Sequence, residues 1–235
     1  MVGELRKLDM NSHSTIEVLN LGADVRPVAI VDGFSAMPDY WCKQALGKGY
    51  EFRGDFYPGH RKHVDSSYFN DVGGRLGAVM RSVFGCTKSL KVDRALYSIV
   101  NTAPHHLSLA QRIPHFDDSS GHAFAMVHYL SRSTFGGTAF YRHKSTGLSQ
   151  ISSARHGDYL HALTRDFEVH GEPSPAYIDG STALFEQTGQ AGFLYNRAVI
   201  YHGNQLHCPV ILDDVDHSGD PSRGRLTIAA FFRAS

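Results

Sequence analysis

The sequence Arg112-Ile-Pro-His-Phe-Asp-Asp118 places a histidine and a carboxylate two residues apart. In an extended strand, residues two apart point to the same face, so the side chains of His115 and Asp117 would project side by side. An imidazole and a carboxylate in that arrangement can share one metal ion. A further ligand should come from a distant strand that closes beside this one, so the fold has to bring remote strands together.

Short strand patterns fill the rest of the chain. From about Leu90 onward, runs of β-branched and aromatic residues are separated by clusters of Gly, Asn, Ser or Pro. Several short strands without regular intervening helices are typical of a β-sandwich or barrel and unlike a parallel α/β sheet. The predicted strands are residues 95–100, 124–130, 138–141, 182–185, 193–195, 198–201 and 226–232.

The N-terminal part has a different pattern. Residues 28–31 form an apolar run that predicts a buried strand. Ser35 and Pro38 favour the start of a helix that would run over residues 38–46. Apolar residues at helical spacing predict a second helix over residues 72–84. This part therefore predicts helices that pack against the sheet.

Two segments remain without a regular pattern. The basic and aromatic residues 52–63 are interpreted as a structured surface loop, with a lip beside a substrate as the alternative. Residues 147–181 form a long interruption with a short helix predicted over residues 158–164, and connections of that length are often functional. If the chain has a substrate site, residues 57–61 and 147–181 are the segments expected to border it, because both mix aromatic and charged residues. An edge strand is expected near residues 15–19.

The domain organisation follows from these patterns. We predict one mainly β (α+β) domain over residues 1–235. Residues 1–25 would be a lead-in and residues 26–90 a helical support. Residues 91–235 would form the β-barrel core, with the long insertion at about 147–181.

The composition excludes several classes of protein. Lys and Arg number 23, as do Asp and Glu, so the formal charge is zero and a broad footprint for nucleic acid or an anionic membrane is not supported. Residues 1–14 have no apolar core and do not resemble a secretory signal, and no apolar run approaches the roughly 18 residues of a membrane span. The three separated cysteines argue against a disulfide framework and fit a reducing cytoplasm. We expect a cytoplasmic protein without nucleic-acid or membrane partners.

Two histidines compete for the role of distal ligand. His202 ends an apolar strand, whereas His207 follows the Gly203-Asn204 turn and begins the next strand. His207 is favoured, with His202 as the alternative. For the carboxylate, Asp117 is favoured over its neighbour Asp118, because only Asp117 would share a strand face with His115.

A candidate anion anchor lies on the last strand. Arg225 and Thr227, again two residues apart, would place a guanidinium and a hydroxyl on one face. A guanidinium fork matches a carboxylate with two parallel hydrogen bonds, which suits the far carboxylate of 2-oxoglutarate.

The chain contains His-x-Asp, then a distal His, then Arg-x-Ser/Thr on the last strand. The order of these motifs resembles that of the Fe(II)/2-oxoglutarate-dependent dioxygenases. Further matches resemble the prolyl-hydroxylase-like branch, and within it an uncharacterised bacterial group. They are Ile30-Val31-Asp32-Gly33-Phe34, Tyr129-Leu130 and Gly136-Gly137-Thr138-Ala139-Phe140. The resemblance runs from about residue 28 to residue 233 and is weaker between 147 and 180.

The resemblance implies a fold, a cofactor and residue roles. It implies a double-stranded β-helix (jelly-roll or cupin-like) core, with Fe(II) held by His115, Asp117 and His207. It further implies 2-oxoglutarate as cosubstrate, anchored by Arg225 with help from Thr227 and Tyr129, and O2 as the oxidant. One departure is that the interval from His207 to Arg225 is longer than the family usually shows, because residues 213–223 read as an inserted acidic loop. Arg223 and Arg233 therefore remain alternative anchors.

The expected activity is hydroxylation of a C–H bond in an amino acid, a peptide or a small polar metabolite. Two alternatives remain: a cupin-like metal-binding protein or isomerase that does not use 2-oxoglutarate, and a catalytically silent relative. The sequence leaves the substrate and the oligomeric state open, a homodimer included.

Overall fold

Two antiparallel β-sheets face each other and carry helices on their outer faces. The structure is a computed structural model that describes residues 4–10, 14–22, 25–53, 56–133, 135–212 and 215–234. The strands are β1 (Glu4–Met10), β2 (Ser14–Asn20), β3 (Val28–Val31), β4 (Phe52–Arg53), β5 (Gly59–His63), β6 (Leu90–Val100), β7 (Ala123–Tyr129), β8 (Thr138–His143), β9 (Phe185–Ala191), β10 (Ala198–His202), β11 (His207–Pro209) and β12 (Leu226–Ala234). The helices are α1 (Pro38–Ala45), α2 (Tyr68–Ser82) and α3 (His156–His170), with short 3-10 turns at Pro104–His106 and Leu109–Gln111.

The strands form a large and a small sheet. The nine-stranded sheet has the order β1-β2-β3-β10-β7-β12-β6-β5-β4, and the three-stranded sheet has the order β11-β8-β9. All the strand pairs described are antiparallel. This is the jelly-roll core that the motifs imply.

Alternating side chains build separate core layers. On β12, Leu226 and Ile228 belong to the hydrophobic layer shared with α1 and α2, while Thr227 and Ala229 face a cavity between the sheets. The helix α2 contributes a stripe at helical spacing to the same outer layer, namely Val72, Leu76, Val79 and Met80. The helix α3 covers the outer face of the small sheet.

The pairing register aligns four residues in one row across the large sheet. Thr227 of β12 lies opposite Tyr129 of β7 on one side and Ser98 of β6 on the other. Ser98 in turn lies opposite Arg61 of β5. Residues opposite each other share a face, so Arg61 is on the same inward face as Thr227, two strands or about 10 Å away.

Most predicted elements are confirmed, within a few residues at their ends. Residues 28–31 are β3, and both N-terminal helices are present. The helix predicted over residues 158–164 is longer and spans the whole of α3.

Two strand predictions were wrong, and a third strand is present but not at the edge of the sheet. The strand predicted over residues 182–185 begins only at Phe185, since Thr182 caps the turn before it and accepts the backbone N–H groups of Leu184 and Phe185. Residues 193–195 are a loop in which the Phe193 ring packs on Tyr129. The strand near residues 15–19 exists as β2, but it is not an edge strand because β1 pairs with it.

The predicted surface loop over residues 52–63 was also wrong. This segment contains β4 and β5, which extend the large sheet beyond β6. The predicted lead-in likewise supplies two strands of this sheet. A single domain over the whole chain remains our proposal.

None of the helices in the described ranges is long and apolar enough to span a membrane.

Candidate metal centre and adjoining cavity

His115 and His207 lie opposite each other on neighbouring backbone segments. The N–H of His115 donates to the carbonyl of His207, and the N–H of His207 donates to the carbonyl of His115, each over 2.9 Å. The two imidazole rings are 4.4 Å apart between centroids. His115 is a single-residue bridge beside β11 and not part of a longer strand, so the extended strand predicted for this stretch is reduced to one pairing.

Asp117 completes the group. Its backbone N–H donates to the carbonyl of Gly203 over 2.7 Å, which fixes the chain where it turns away from His115. Oδ1 of its carboxylate lies 4.0 Å from Nε2 of His115, and Oδ2 lies 3.5 Å from Nε2 of His207. One donor atom from each residue falls within 4.8 Å of the others. The structure therefore brings together the three residues that the sequence predicted as ligands.

A hydrogen bond orients the His207 ring for metal binding. Nδ1 of His207 lies 2.9 Å from the carbonyl oxygen of Gln205, which can only accept, so Nδ1 carries the proton. The lone pair of the neutral imidazole is then on Nε2, the atom that faces Asp117. Metal-ligating histidines usually donate their second ring N–H in this way.

Burial sets the protonation of the other two groups. It lowers the pKa of His115 well below its usual value, and nearby His207 and Arg61 lower it further, so the imidazole is neutral. Burial raises the pKa of Asp117, against the opposing influence of His207 and Arg61. Only 17% of the Asp117 side chain is exposed. The neutral His115 imidazole, Nε2 of His207 and the desolvated Asp117 carboxylate fit a divalent cation, which would act as the counter-ion of the carboxylate.

The rejected alternatives face elsewhere. His202 belongs to the outer face of β10, where its ring packs 4.2 Å from the Phe124 ring and Nδ1 contacts the Arg26 guanidinium at 2.7 Å. It is therefore absent from the group of three. Asp118 accepts the backbone N–H of Ser120 at Oδ1 and is partly exposed.

Arg225 and Thr227 line the same cavity as the three candidate ligands. Arg225 is 2% exposed, and its guanidinium donates to the carbonyls of Gly137 over 3.0 Å and Gly136 over 3.5 Å. In the part of the chain that the structure describes, no carboxylate lies within ion-pair distance of it. The buried guanidinium thus lacks a counter-ion among the described residues, and an anionic ligand could supply one.

The other candidate anchors lie outside this cavity. Arg223 and Arg233 are mostly exposed and form ion pairs with Asp216 and Asp93. Neither lines the cavity that contains Arg225. Residues 213 and 214, part of the expected acidic loop, lie outside the described residues.

Tyr129 packs against the candidate anchor Arg225. Its ring lies under the Arg225 guanidinium, 5.5 Å from Cζ to centroid, and its hydroxyl is 2.8 Å from Oγ1 of Thr138. Thr138 lines the cavity, whereas Tyr129 does not contribute to its wall. Tyr129 therefore contacts Arg225 and Thr138 and would hold both side chains in position.

The cavity contains a second guanidinium, that of Arg61, which the sequence placed only in a possible substrate lip and not beside Arg225. Arg61 lines the wall, lies over the Tyr57 ring at 4.3 Å and has a buried Nε without a hydrogen-bond partner among the described residues. The Tyr57 hydroxyl, which also faces the cavity, is likewise buried and unpartnered within that part of the chain. Burial lowers the pKa of Arg61, while nearby Tyr57 and Asp117 oppose this shift. Residues 59–63 are glycine and basic residues without apolar alternation, so the local sequence carries no signal that Arg61 faces inward.

Comparisons with known proteins agree with the architecture. A model of the family described as "Family of unknown function (DUF6445)" matches residues 12–232. No curated protein sequence matches the chain significantly.

Solved structures resemble this chain at low sequence identity. HygX from Streptomyces hygroscopicus, crystallised with nickel and 2-oxoglutarate, has a TM-score of 0.50 at 11% identity over 90% of this chain and 84% of its own. HygX with iron bound has a TM-score of 0.49 at 10% identity over the same shares of the two chains. The non-heme alpha ketoglutarate dependent epimerase SnoN from nogalamycin biosynthesis has a TM-score of 0.45 at 11% identity, over 87% of this chain and 76% of its own.

Proposed function

The chain belongs to the DUF6445 family, whose function is unknown. We propose that it is an Fe(II)- and 2-oxoglutarate-dependent oxygenase that hydroxylates a substrate C–H bond. One observation carries the proposal. His115, Asp117 and His207 direct donor atoms at one point on the wall of a cavity that also contains the unpaired Arg225 guanidinium.

The ligand set is the one that non-haem Fe(II) oxygenases use. Two histidines and one carboxylate, with further coordination positions open, form the ligand triad of non-haem Fe(II) oxygenases. When bound together there, Fe(II), 2-oxoglutarate and O2 supply the oxidation: the oxo acid becomes succinate and CO2, and the second oxygen atom of O2 is inserted into the C–H bond. Membership of the prolyl-hydroxylase-like branch stays a prediction.

Arg225 is the proposed anchor for the far carboxylate of 2-oxoglutarate. Its fork can donate two parallel hydrogen bonds to a carboxylate. The neighbouring Thr227 hydroxyl, which donates to the Ser98 carbonyl over a long 3.5 Å, could turn to donate a third. Tyr129 and the carbonyls of Gly136 and Gly137 would hold the fork in position.

Arg61 is the second positively charged group proposed to bind the 2-oxoglutarate dianion. Together with Arg225 it brings two positive charges to the cavity, and the only carboxylate in the described lining is Asp117. The unpartnered Nε of Arg61 and the unpartnered Tyr57 hydroxyl would gain hydrogen-bond acceptors from a bound oxo acid. A dicarboxylate would thus satisfy polar groups that otherwise remain buried without partners.

The fold and the bound ligands of one relative support the proposal. HygX shares the architecture and was crystallised with nickel and 2-oxoglutarate. The alternatives without 2-oxoglutarate, a cupin-like isomerase and a silent relative, predict no use for Arg225 or Arg61.

Calorimetric titration with Mn(II), an iron substitute that is stable in air, tests the proposal. Mn(II) should bind the metal-free protein, and 2-oxoglutarate should then bind tightly only to the Mn(II) form. Arg225→Ala should lose the second step and keep the first, while the exposed Arg223→Ala serves as the matched control. Binding of Mn(II) without any response to 2-oxoglutarate would favour the cupin-like alternative, and binding of neither would favour the silent relative.

A further inference from the structure

A second cavity adjoins the metal centre on the side of α3. It has a volume of about 580 Å³, within the range of small-molecule binding sites. Its wall comes from α3 and from the segment that leads to His115, and it is mostly apolar. The principal side chains are Ile113, Phe116, Tyr159, Leu160, Leu163 and Phe167.

His115 and Asp117 connect the two cavities. Both residues line the α3 cavity as well as the cavity that contains Arg225. The Phe56 ring, at the wall of the α3 cavity, stacks on the His115 imidazole with the centroids 5.7 Å apart and the planes 11° from parallel. A molecule in the α3 cavity would therefore contact two of the proposed iron ligands.

The two cavities differ in charge. The Arg225 cavity contains two guanidinium groups. Among the described residues that line the α3 cavity there is no Lys, Arg or Glu, and His156 is the only histidine or carboxylate besides the two candidate ligands. A charged group placed against α3 would lose water without gaining a counter-ion, whereas an apolar group would gain from burial.

Large apolar side chains are also exposed at this cavity. Phe56 is exposed, and Leu160 remains 46% exposed although both line the wall. Exposed apolar side chains that border one concave site are typical of ligand-binding grooves and of protein interfaces.

We propose that the α3 cavity is the substrate subsite and that it binds an apolar or aromatic group of a small molecule, with α3 as the element that determines specificity. This inference rests on the proposed oxygenase function. It narrows the substrate class: an amino acid, peptide or metabolite would need a sizeable apolar portion next to the carbon that is oxidised. The dianionic cosubstrate and the apolar substrate group would approach the metal from different cavities.

The neutral fluorescent probe N-phenyl-1-naphthylamine tests the apolar subsite directly. The full-length protein should bind it saturably with increased fluorescence. Leu160→Glu, which places a carboxylate at the exposed edge of the cavity, should weaken binding about tenfold. Val169→Glu is the matched control, because Val169 is 75% exposed on the same helix and does not line the cavity. Equal binding by both variants, or no binding by the unmodified protein, would overturn the proposal.

Proximity to the metal provides a second readout. Bound Mn(II) should broaden the proton resonances of the probe, and this broadening should disappear in Asp117→Ala, which is expected to lose the metal. Probe binding that depends on Leu160 without broadening by bound Mn(II) would contradict a subsite beside the metal. If Mn(II) does not bind at all, the oxygenase proposal fails while the probe titration still decides whether the apolar site exists. A protein that sediments as a dimer, and as a monomer in Leu160→Glu, would instead make this face an interface between copies of the chain.

Discussion

His115 and His207 exchange two backbone hydrogen bonds of 2.9 Å and present their rings on the same side of that pairing. The bridge fixes the separation of two candidate ligands that come from distant parts of the chain. Asp117 then needs only the bend after His115, held by the carbonyl of Gly203, to place its carboxylate between the two Nε2 atoms. The site is thus fixed mainly by backbone pairing, which favours a preorganised metal centre.

Adjacent aspartates provide a matched test of the metal site. Asp117→Asn should weaken Mn(II) binding at least about 100-fold, because a charged ligand becomes a neutral amide. Asp118→Asn should have little effect, since the Asp118 carboxylate faces Ser120 and away from the imidazoles. Isothermal titration calorimetry on both variants measures the difference, and equal losses would contradict the assignment of Asp117 as the ligand.

Replacing Arg61 should weaken the binding of 2-oxoglutarate and should not weaken the binding of Mn(II). Arg61→Gln should weaken 2-oxoglutarate binding about tenfold, which is the loss expected for one charge-assisted hydrogen bond. The same change should leave Mn(II) affinity equal or higher, because it removes a positive charge near Asp117. Lys62→Gln is the control: its ammonium donates to the carbonyl of Gln44 and it does not line the cavity. Weaker Mn(II) binding in Arg61→Gln would show that Arg61 supports the metal site structurally.

Stability should fall in mild acid through a buried histidine away from the cavity. His128 is bound between the Tyr68 hydroxyl and Asn196, and burial lowers its pKa from 6.5 to about 4. Between these values the unfolded chain binds the proton and the folded chain does not, so the free energy of unfolding decreases as the pH falls. Over the full window this amounts to about 3 kcal/mol.

Urea unfolding of His128→Gln at several pH values checks this linkage. The variant should show a smaller loss of stability between pH 6.5 and pH 4 than the unmodified protein. The exposed His122→Gln should retain the original slope. An unchanged slope in His128→Gln would mean that other groups account for the acid sensitivity.

Two glycine substitutions should have opposite effects on stability. In Gly137→Ala the added Cβ would lie 1.8 Å from the carbonyl oxygen of Ala191, so β8 and β9 would have to separate. We expect a loss of about 1–3 kcal/mol, as for other overpacked sites, and weaker 2-oxoglutarate binding because the Gly137 carbonyl holds Arg225. Gly157→Ala in α3 meets no neighbour within 4 Å and should stabilise the protein by up to about 1 kcal/mol. Thermal unfolding of both variants measures the two changes.

The sequence was informative where the two-residue period coincided with chemistry. His115 with Asp117, and Arg225 with Thr227, were each predicted to share a face, and each pair lines the same cavity. The choice of His207 over His202 rested on the turn between them, and in the structure His202, the last residue of β10, packs against the Phe84 ring beyond the end of α2.

The failures have a common physical cause. β5 and β9 carry mostly polar and basic residues, and their strand conformation depends on pairing with β6 and β8 and not on local propensity. Arg61 was therefore assigned to a surface loop although it lies in one row with Thr227. Residues 147–181 were expected to border the substrate site, and α3 lies in that segment, but the apolar character and the bounds of the α3 cavity could not be predicted, since it forms only when this segment packs beside the residues before His115.

The most direct measurement is an anaerobic titration of the metal-free protein with Fe(II) and then 2-oxoglutarate, followed by visible absorption. Chelation of Fe(II) by the oxo acid should produce a charge-transfer band that is present in Asp118→Asn and Arg223→Ala and absent in Asp117→Asn and Arg225→Ala. If Fe(II) binds and no band develops at saturating 2-oxoglutarate, the protein is not a 2-oxoglutarate-dependent oxygenase and the proposed function is wrong.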